Sequence, residues 1–221
     1  MKYIILGVLL VLGFSDLFGQ KFEFAAGANR NSFIDFHDKE SHFVSRYNPK
    51  FGYSLGFSLY EIKIDTVKIK ISMQLDNYYG SIYTYQRSLA GESETQAQVR
   101  KTDLGIELYP LNFKLGEKIQ LYLGSEFRFR LSDHISGYKS SWRLGTQPTN
   151  MTIENDSVRI TKNFAFGLSG GIGYFFRINR NFYLVPQYKF YFGLSDEFKN
   201  VEAKIKSMRQ YLFLGIVKDI K

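Results

Sequence analysis

Ser132, His134 and Ser136 are the residues of this chain whose types and spacing could support nucleophilic catalysis. In an extended backbone, alternate residues share a face, so His134 and Ser136 would point the same way. Hydrolysis by a serine needs a histidine base and a carboxylate that orients it, and Glu154 or Asp156 could supply that carboxylate. Polar residues at the end of a strand explain the same stretch without chemistry, so we predict no catalytic residue.

A second cluster of polar side chains could suggest a metal site. Its potential ligands are Asp35, His37, Asp38, Glu40 and His42. Their spacing matches no fixed ligand geometry, so a solvated loop is favoured, and we predict neither a metal site nor a cofactor. The chain has no cysteine, which excludes disulfides, thiol nucleophiles and Cys-based metal sites.

The elements that would position these residues are β-strands, and residues 163–193 show them most clearly. From Phe164 to Phe176, apolar residues occupy every second position, and small or polar residues lie between them. A polar turn at residues 178–181 follows, and the same alternation then returns to Gly193. Alternation with a period of two over two long segments joined by a short turn predicts a β-hairpin with one apolar face.

The same alternation recurs along the chain and predicts eight strands. They cover residues 22–28, 50–60, 67–76, 103–109, 119–131, 164–177, 182–193 and 205–217. The facing of the last strand stays open, because both of its alternating series are apolar. The connections alternate long and short, and the long ones are residues 29–48, 80–98, 132–162 and the segment after Leu194.

These features together favour an all-β fold, an eight-stranded antiparallel up-and-down transmembrane barrel. Strands of ten or more residues can cross a bilayer when they are tilted. Outer-membrane barrels have long external loops and short periplasmic turns, which matches the alternation of the connections. Glycines such as Gly52, Gly105 and Gly171 lie on the polar face, as expected for the crowded concave side. Eight strands leave a bore that side chains fill, so we predict a plugged interior.

The polar face also carries charges that would have to pair inside a closed barrel, because an unpaired buried ion is costly. The predicted interior charges are Glu23, Asp103, Glu107, Glu126, Lys68, Lys70, Arg128, Arg130, Arg177 and Lys189. Pro186 lies within a predicted strand, where it removes a hydrogen-bond donor, and we predict a bulge there. Aromatic residues near the strand ends, including Tyr60, Tyr78 and Tyr109, are predicted to form girdles at the membrane surfaces.

The N-terminus predicts export. Lys2 precedes an apolar run that is too short to span a bilayer, which is typical of a cleaved signal peptide. We therefore predict a signal peptide over residues 1–20 and one barrel domain over residues 21–221. The net charge is +8, and the short turns carry much of this excess, as expected of a rim that lies against anionic phospholipid head groups.

With this pattern, residues 21–221 resemble the small eight-stranded outer-membrane barrel proteins of Bacteroidota, the PorT-like group. The signal peptide and the segments FGYSLGFSLY, GLSGGIGYFF and RQYLFLGIV carry the resemblance. It implies insertion by the barrel assembly machinery into the outer membrane of a Gram-negative bacterium. The chain departs from the common barrel ending, because it closes on KDIK and not on a terminal aromatic residue.

The resulting prediction is a plugged, non-catalytic outer-membrane barrel that acts as a membrane anchor or as a loop-presenting interaction or structural module. Its expected partners are outer-membrane lipids and lipopolysaccharide, the barrel assembly machinery during insertion, and a protein bound through the extracellular loops, with no nucleic acid. Both termini should lie in the periplasm.

Two alternatives stay open. In the first, the apolar face turns inward around a small hydrophobic ligand, as in a secreted lipocalin-like barrel. In the second, the protein is a lipid A hydrolase, because a His-x-Ser sequence at an outer rim resembles the lipid A deacylases, which are also eight-stranded barrels. Solubility without detergent would favour the first, and loss of lipid A hydrolysis on mutation of His134 would favour the second.

Overall fold

A computed structural model describes residues 21–34, 43–64, 67–155, 161–197 and 205–219. In these residues the chain forms eleven β-strands: β1 Lys21–Ile34, β2 Phe43–Pro49, β3 Phe51–Ile64, β4 Val67–Ser88, β5 Gly91–Leu115, β6 Ile119–Arg143, β7 Thr149–Asn155, β8 Phe164–Tyr174, β9 Phe176–Arg177, β10 Phe182–Gly193 and β11 Lys206–Asp219. This part of the chain contains no helix that is long and apolar enough to cross a membrane. The predicted signal peptide, residues 1–20, lies outside the described residues.

The strands form one closed antiparallel sheet. Its order is β1-β3-β4-β5-β6-β8-β10-β11, and β11 pairs again with β1. β2 continues the line of β3 along β4, while β7 and β9 continue the line of β8. The eleven segments therefore form eight lines of strand around the barrel, because β2 and β3 share one line and β7, β8 and β9 share another. The predicted all-β, up-and-down barrel is confirmed, with more strand segments than the eight predicted.

The alternation of side chains places the apolar face on the outside. Leu123 and Ile172 are 43% and 44% exposed, and every strand line of the barrel carries large apolar residues that point outward in the same way. β11 follows the same rule: Leu212, Leu214 and Ile216 point outward, and Tyr211 is buried inside. A continuous apolar outer surface around a closed barrel is the arrangement that a bilayer stabilises.

Much of the chain that was predicted as long loops is β-structure. β4 and β5 continue past the barrel to a turn between Ser88 and Gly91, and β6 continues to Arg143. With β2 and β7 at its sides, this region forms a sheet in the order β2-β4-β5-β6-β7, which we call the extension (residues 43–49, 80–100 and 132–155). Its Tyr, Thr and Val residues favour strands, but polar residues on both faces remove the alternation that reveals a strand.

Pro186 does not form the predicted bulge. It lies on the outward face and pairs in register with Leu214 of β11. On the other side of Pro186, the hydrogen-bond ladder between β10 and the line of β8 and β9 is interrupted. There the N–H of Phe175 donates to the carbonyl of Lys118 at 2.7 Å. The missing proline N–H therefore falls at a gap in the ladder, and no extra residue is needed.

Candidate functional site

The barrel interior is filled with ionised side chains. Each of the interior charges is no more than 3% exposed. They are Glu23, Asp76, Asp103, Glu107, Glu126, Glu197, Lys70, Lys101, Arg128, Lys189 and Arg209. Carboxylates and cations are close to balanced in this set, so every buried charge can have a partner of opposite sign, as burial requires.

Arg128 is the centre of this network. Its guanidinium donates to the carboxylate of Asp76 and to the hydroxyl of Tyr211, and it forms an ion pair with Glu126. It also stacks on the ring of Tyr191, with 4.8 Å between Cζ and the ring centroid. A planar guanidinium offers five donors in a fixed geometry, so it can hold several partners at once.

Lys189 resolves a conflict between two neighbouring carboxylates. Glu107 and Glu126 are opposite each other on β5 and β6, so their like charges would repel. The Lys189 ammonium contacts both, with 3.2 Å from Nζ to Oε2 of Glu126, and it also donates to Gln74 at 2.6 Å. The predicted inward facing and pairing of Glu107, Glu126 and Lys189 are therefore confirmed.

Near the short turns, a second group surrounds Lys70. Its ammonium is 3.6 Å from the carboxylate of Glu23 and donates to the Tyr60 hydroxyl at 3.0 Å. The Tyr109 hydroxyl donates to Glu107 at 2.7 Å. Tyr60 and Tyr109 were predicted in an aromatic girdle; they lie inside because their hydroxyls are the hydrogen-bond partners that buried charges need.

Two predicted interior charges, Lys68 and Arg177, lie outside the packed interior. The Lys68 side chain is 57% exposed and its Nζ is 3.9 Å from the Glu61 carboxylate, and Arg177 is exposed at the short-turn end. Lys68 and Arg177 are exposed because they lie at the short-turn end of the barrel, beyond its packed interior. Arg130, in contrast, faces inward as predicted: it is opposite Asp103 on β5, its side chain is 3% exposed, and it pairs with Asp133 at 3.0 Å near the extension end of the barrel.

Glu197 belongs to the connection after β10 and closes the interior from the extension side. Its carboxylate accepts hydrogen bonds from Arg209 at 3.0 Å, from Ser207 at 3.2 Å and from Lys101. The hydroxyl of Tyr78, which was also predicted in a girdle, donates to Asp103 at 2.9 Å and lies 3.3 Å from the carboxylate of Glu197. Glu197 therefore ties this connection to β5 and β11 by charge.

We expect Glu197 to make the stability of the barrel depend on pH. Burial alone would raise the pKa of this carboxyl, but Lys101 and Arg209 outweigh burial and lower the pKa to about 2. A lowered pKa contributes stability above the unfolded value, and that stability is lost as the pH falls through the folded value. Glu197→Gln should therefore destabilise the barrel by about 3 kcal/mol at neutral pH.

The measurement is thermal unfolding in detergent between pH 7 and pH 2. The difference between the wild type and Glu197→Gln should shrink from about pH 4.5 downward and nearly vanish at pH 2. Asp196→Asn, at a neighbouring partly exposed carboxylate whose Oδ2 is 3.5 Å from Lys162 Nζ, is the control and should show a small difference. A Glu197→Gln difference that stays constant with pH would contradict the assignment.

Little space remains inside the barrel. A gap beside Lys70, Gln74 and Lys189 has a volume of about 20 Å³, which is room for about one water molecule. With charges lining the inside and apolar residues outside, the facing is the reverse of a lipocalin. The lipocalin-like alternative is therefore wrong for this chain.

His134 and Ser136 lie together on the outward face of the extension. They line a groove of about 240 Å³ at the base of the extension. The groove residues are Lys50, Phe51, Tyr79, Gly80, Gln98, Val99, Arg100, His134 and Ser136. In the β6–β7 pairing Ser136 is opposite Glu154, whereas Asp156 lies outside the described residues.

The predicted loop around His37 and His42 lies outside the described residues. Within the ranges that the structure covers, no group of three or more His, Asp or Glu side chains could hold a metal ion.

Residues 18–199 match the family model described as an outer membrane protein β-barrel domain. The chain belongs to this family. Solved structures of outer-membrane proteins are similar to the chain at low identity. Neisserial surface protein A is 14% identical, with 90% of this chain and 97% of that one covered and a TM-score of 0.44. OprG of Pseudomonas aeruginosa is 11% identical, with 92% and 97% covered and a TM-score of 0.42.

Ail of Yersinia pestis is 12% identical, with 90% of this chain and 99% of that one covered and a TM-score of 0.35. No curated protein matches the chain. The family model places the chain among outer-membrane barrel proteins, and its individual role has to be inferred from its own residues.

Four interior charges of this outer-membrane barrel are absent from the predicted set. Asp76 lies at the end of a predicted strand, on its polar face. Lys101 falls just before a predicted strand, Arg209 belongs to a strand with two apolar series, and Glu197 belongs to a connection. For Arg209 the sequence did contain an indication. Arg209 and Tyr211 lie on the same face of the last strand, and a charged residue in one of its two alternating series indicates that this series faces inward. No local pattern identifies Glu197, since its position depends on how the connection folds back.

Proposed function

We propose that this protein is a non-conducting, non-catalytic outer-membrane anchor that presents the extension to the cell exterior as an interaction or structural surface. The observation that carries the proposal is the ion-paired interior beneath a sheet of long, continuous strands. A filled interior leaves no path for solutes, and β4, β5 and β6 run unbroken from the barrel into the extension.

In this proposal the protein has a cleaved signal peptide, is inserted by the barrel assembly machinery and has both termini in the periplasm. Outer-membrane lipids and lipopolysaccharide surround the barrel, and the extension binds a protein partner and no nucleic acid. The proposal also assigns the protein to the PorT-like group of Bacteroidota. Support for the orientation comes from the short turns at one end and the extension at the other, as in barrels with long external segments.

Planar-bilayer recording tests the anchor role. The purified barrel should show no stable conductance, because Arg128 and Lys189 close the bore through ion pairs with Asp76, Glu107 and Glu126. A single-chain porin of known conductance, purified in the same detergent, is the control for insertion. Stable channels from this protein would contradict the proposal.

A surface tag tests the orientation. An epitope inserted after Leu89, which is fully exposed in the β4–β5 turn, should be labelled on intact cells. The same epitope after Asn179, in the turn between β9 and β10, should be labelled only after the outer membrane is permeabilised. The reverse pattern would show that the barrel has the opposite orientation.

A second function, hydrolysis of lipid A, has one structural observation in its favour. Ser136 is opposite Glu154, and His134 lies on the same outward face in the same groove. Purified protein incubated with lipid A should release a fatty acid if this function holds, and both Ser136→Ala and His134→Ala should abolish the release. Ser132→Ala, on the same strand outside the groove, is the control. Unchanged lipid A mass would exclude the function.

A further inference from the structure

The groove on the extension lies at the height of lipid head groups. Along β5 the outward positions run from Leu104 in the apolar surface, through Thr102, to Arg100. Four residues correspond to about 13 Å along a strand, or about 9 Å in height at a tilt of about 45°. Each polar layer of a bilayer is roughly 5–8 Å thick, so the Arg100 backbone lies at the outer edge of this layer and its long side chain can reach the head groups.

Positive charge is concentrated at this height. Arg100 is opposite His134 on β6, and Lys50 lies at the junction of β2 and β3, where its N–H donates to the Tyr79 carbonyl at 3.1 Å. On the neighbouring strand β1, Arg30 is opposite Phe51 of β3 and is exposed. None of the described side chains that line the groove is acidic.

The lining suits an anion attached to an apolar body. The Arg100 guanidinium is 5.3 Å from the centre of the Tyr79 ring, a cation–π contact that limits its motion and leaves its donors available. A guanidinium binds a phosphate through two parallel hydrogen bonds, and a lysine adds a point charge. Gln98 and Ser136 add neutral polar groups, while Phe51 is 75% exposed beside them.

We propose that this groove binds the phosphorylated head group of a membrane lipid, with Arg100 and Lys50 as the phosphate ligands and His134 as an additional donor. The inference rests on the proposed outer-membrane placement, since it assigns a lipid to the surface at the edge of the bilayer. Lipid A and phospholipids both offer phosphate at this height, so the shared chemistry is a lipid-borne phosphate.

Native mass spectrometry of the detergent-solubilised barrel tests the proposal. The probes are lipid A that carries its phosphates, lipid A from which the phosphates have been removed, phosphatidylglycerol and inorganic phosphate. Arg100→Gln should bind phosphorylated lipid A at least about tenfold more weakly than the wild type, because it loses a charge-assisted bidentate contact with the phosphate. Arg143→Gln removes an equal charge at the far end of β6 and should bind as the wild type does.

Each outcome is decisive for the groove. Preference for phosphorylated over dephosphorylated lipid A, lost in Arg100→Gln, supports the proposal, and tighter binding of phosphatidylglycerol would support it with a phospholipid as the source. Equal binding of both forms of lipid A, or no effect of Arg100→Gln, would overturn it. Complete displacement of lipid by millimolar inorganic phosphate would also overturn it, in favour of a site for the free anion.

The binding assay needs neither a particular orientation nor a protein partner. Channel conductance would therefore overturn the anchor role while leaving lipid binding intact, and loss of lipid selectivity would overturn the groove assignment while leaving the anchor role intact.

Discussion

Replacing Arg128 with alanine is expected to lower the stability of the barrel by about 3–5 kcal/mol, because a buried partner charge is left without compensation. The change would strand Asp76 and Glu126, both of which are fully buried. Neither oxygen of Glu126 accepts a well-aligned hydrogen bond from the described residues, so this carboxylate depends on its ion pairs with Arg128 and Lys189. The loss should appear as a lower temperature at which the folded barrel loses its heat-modifiable gel mobility.

The matched control is Lys68→Ala. The Lys68 side chain is 57% exposed, and Glu61 keeps Lys114 as a closer partner, so this change should cost less than about 1 kcal/mol. The double mutant Glu126→Gln with Arg128→Ala should lose less than the sum of the two single changes, because the second substitution removes a charge that the first one strands. Additive effects, or equal effects of Arg128→Ala and Lys68→Ala, would mean that the interior is hydrated.

Arginine at Leu123 is expected to destabilise the barrel by about 2–4 kcal/mol, the range for a charge on the lipid face near the bilayer midplane. Leu123 points outward on β6 and is 43% exposed on the apolar outer surface. Reversible unfolding by urea in lipid vesicles would measure the loss, and Ile172→Arg on β8 should behave in the same way.

Ser132→Arg is the matched control, on the same strand at the polar edge of the apolar surface, where a charge costs about 0–1 kcal/mol. Gln120 and Ser72 would be unsuitable controls, because they are 2% and 5% exposed in a packed interior and an arginine there would clash. Similar losses at Leu123 and Ser132 would contradict the assignment of Leu123 to the lipid face.

The local sequence determined the strands of the barrel and their facing. Alternation from Phe164 to Phe176, and at the inward positions Glu107 and Glu126, is a property of the extended backbone, in which neighbouring side chains point to opposite faces. Once the barrel is closed, that alternation decides which residues meet lipid and which meet one another. The pairing of Glu107 and Glu126 with cations therefore followed from facing and from the cost of burying a charge.

Tertiary structure decided everything that depends on register or on contacts between distant residues. The strands of the extension carry polar residues on both faces, so hydrophobic periodicity does not reveal them, and cross-strand hydrogen bonds define them instead. The row of Lys50, Tyr79, Arg100 and His134 exists only because four separate segments pair in one register. Glu197 meets Lys101 and Arg209 because a connection folds over the barrel end. Such contacts join residues far apart in the chain, and no local pattern encodes their distance in space.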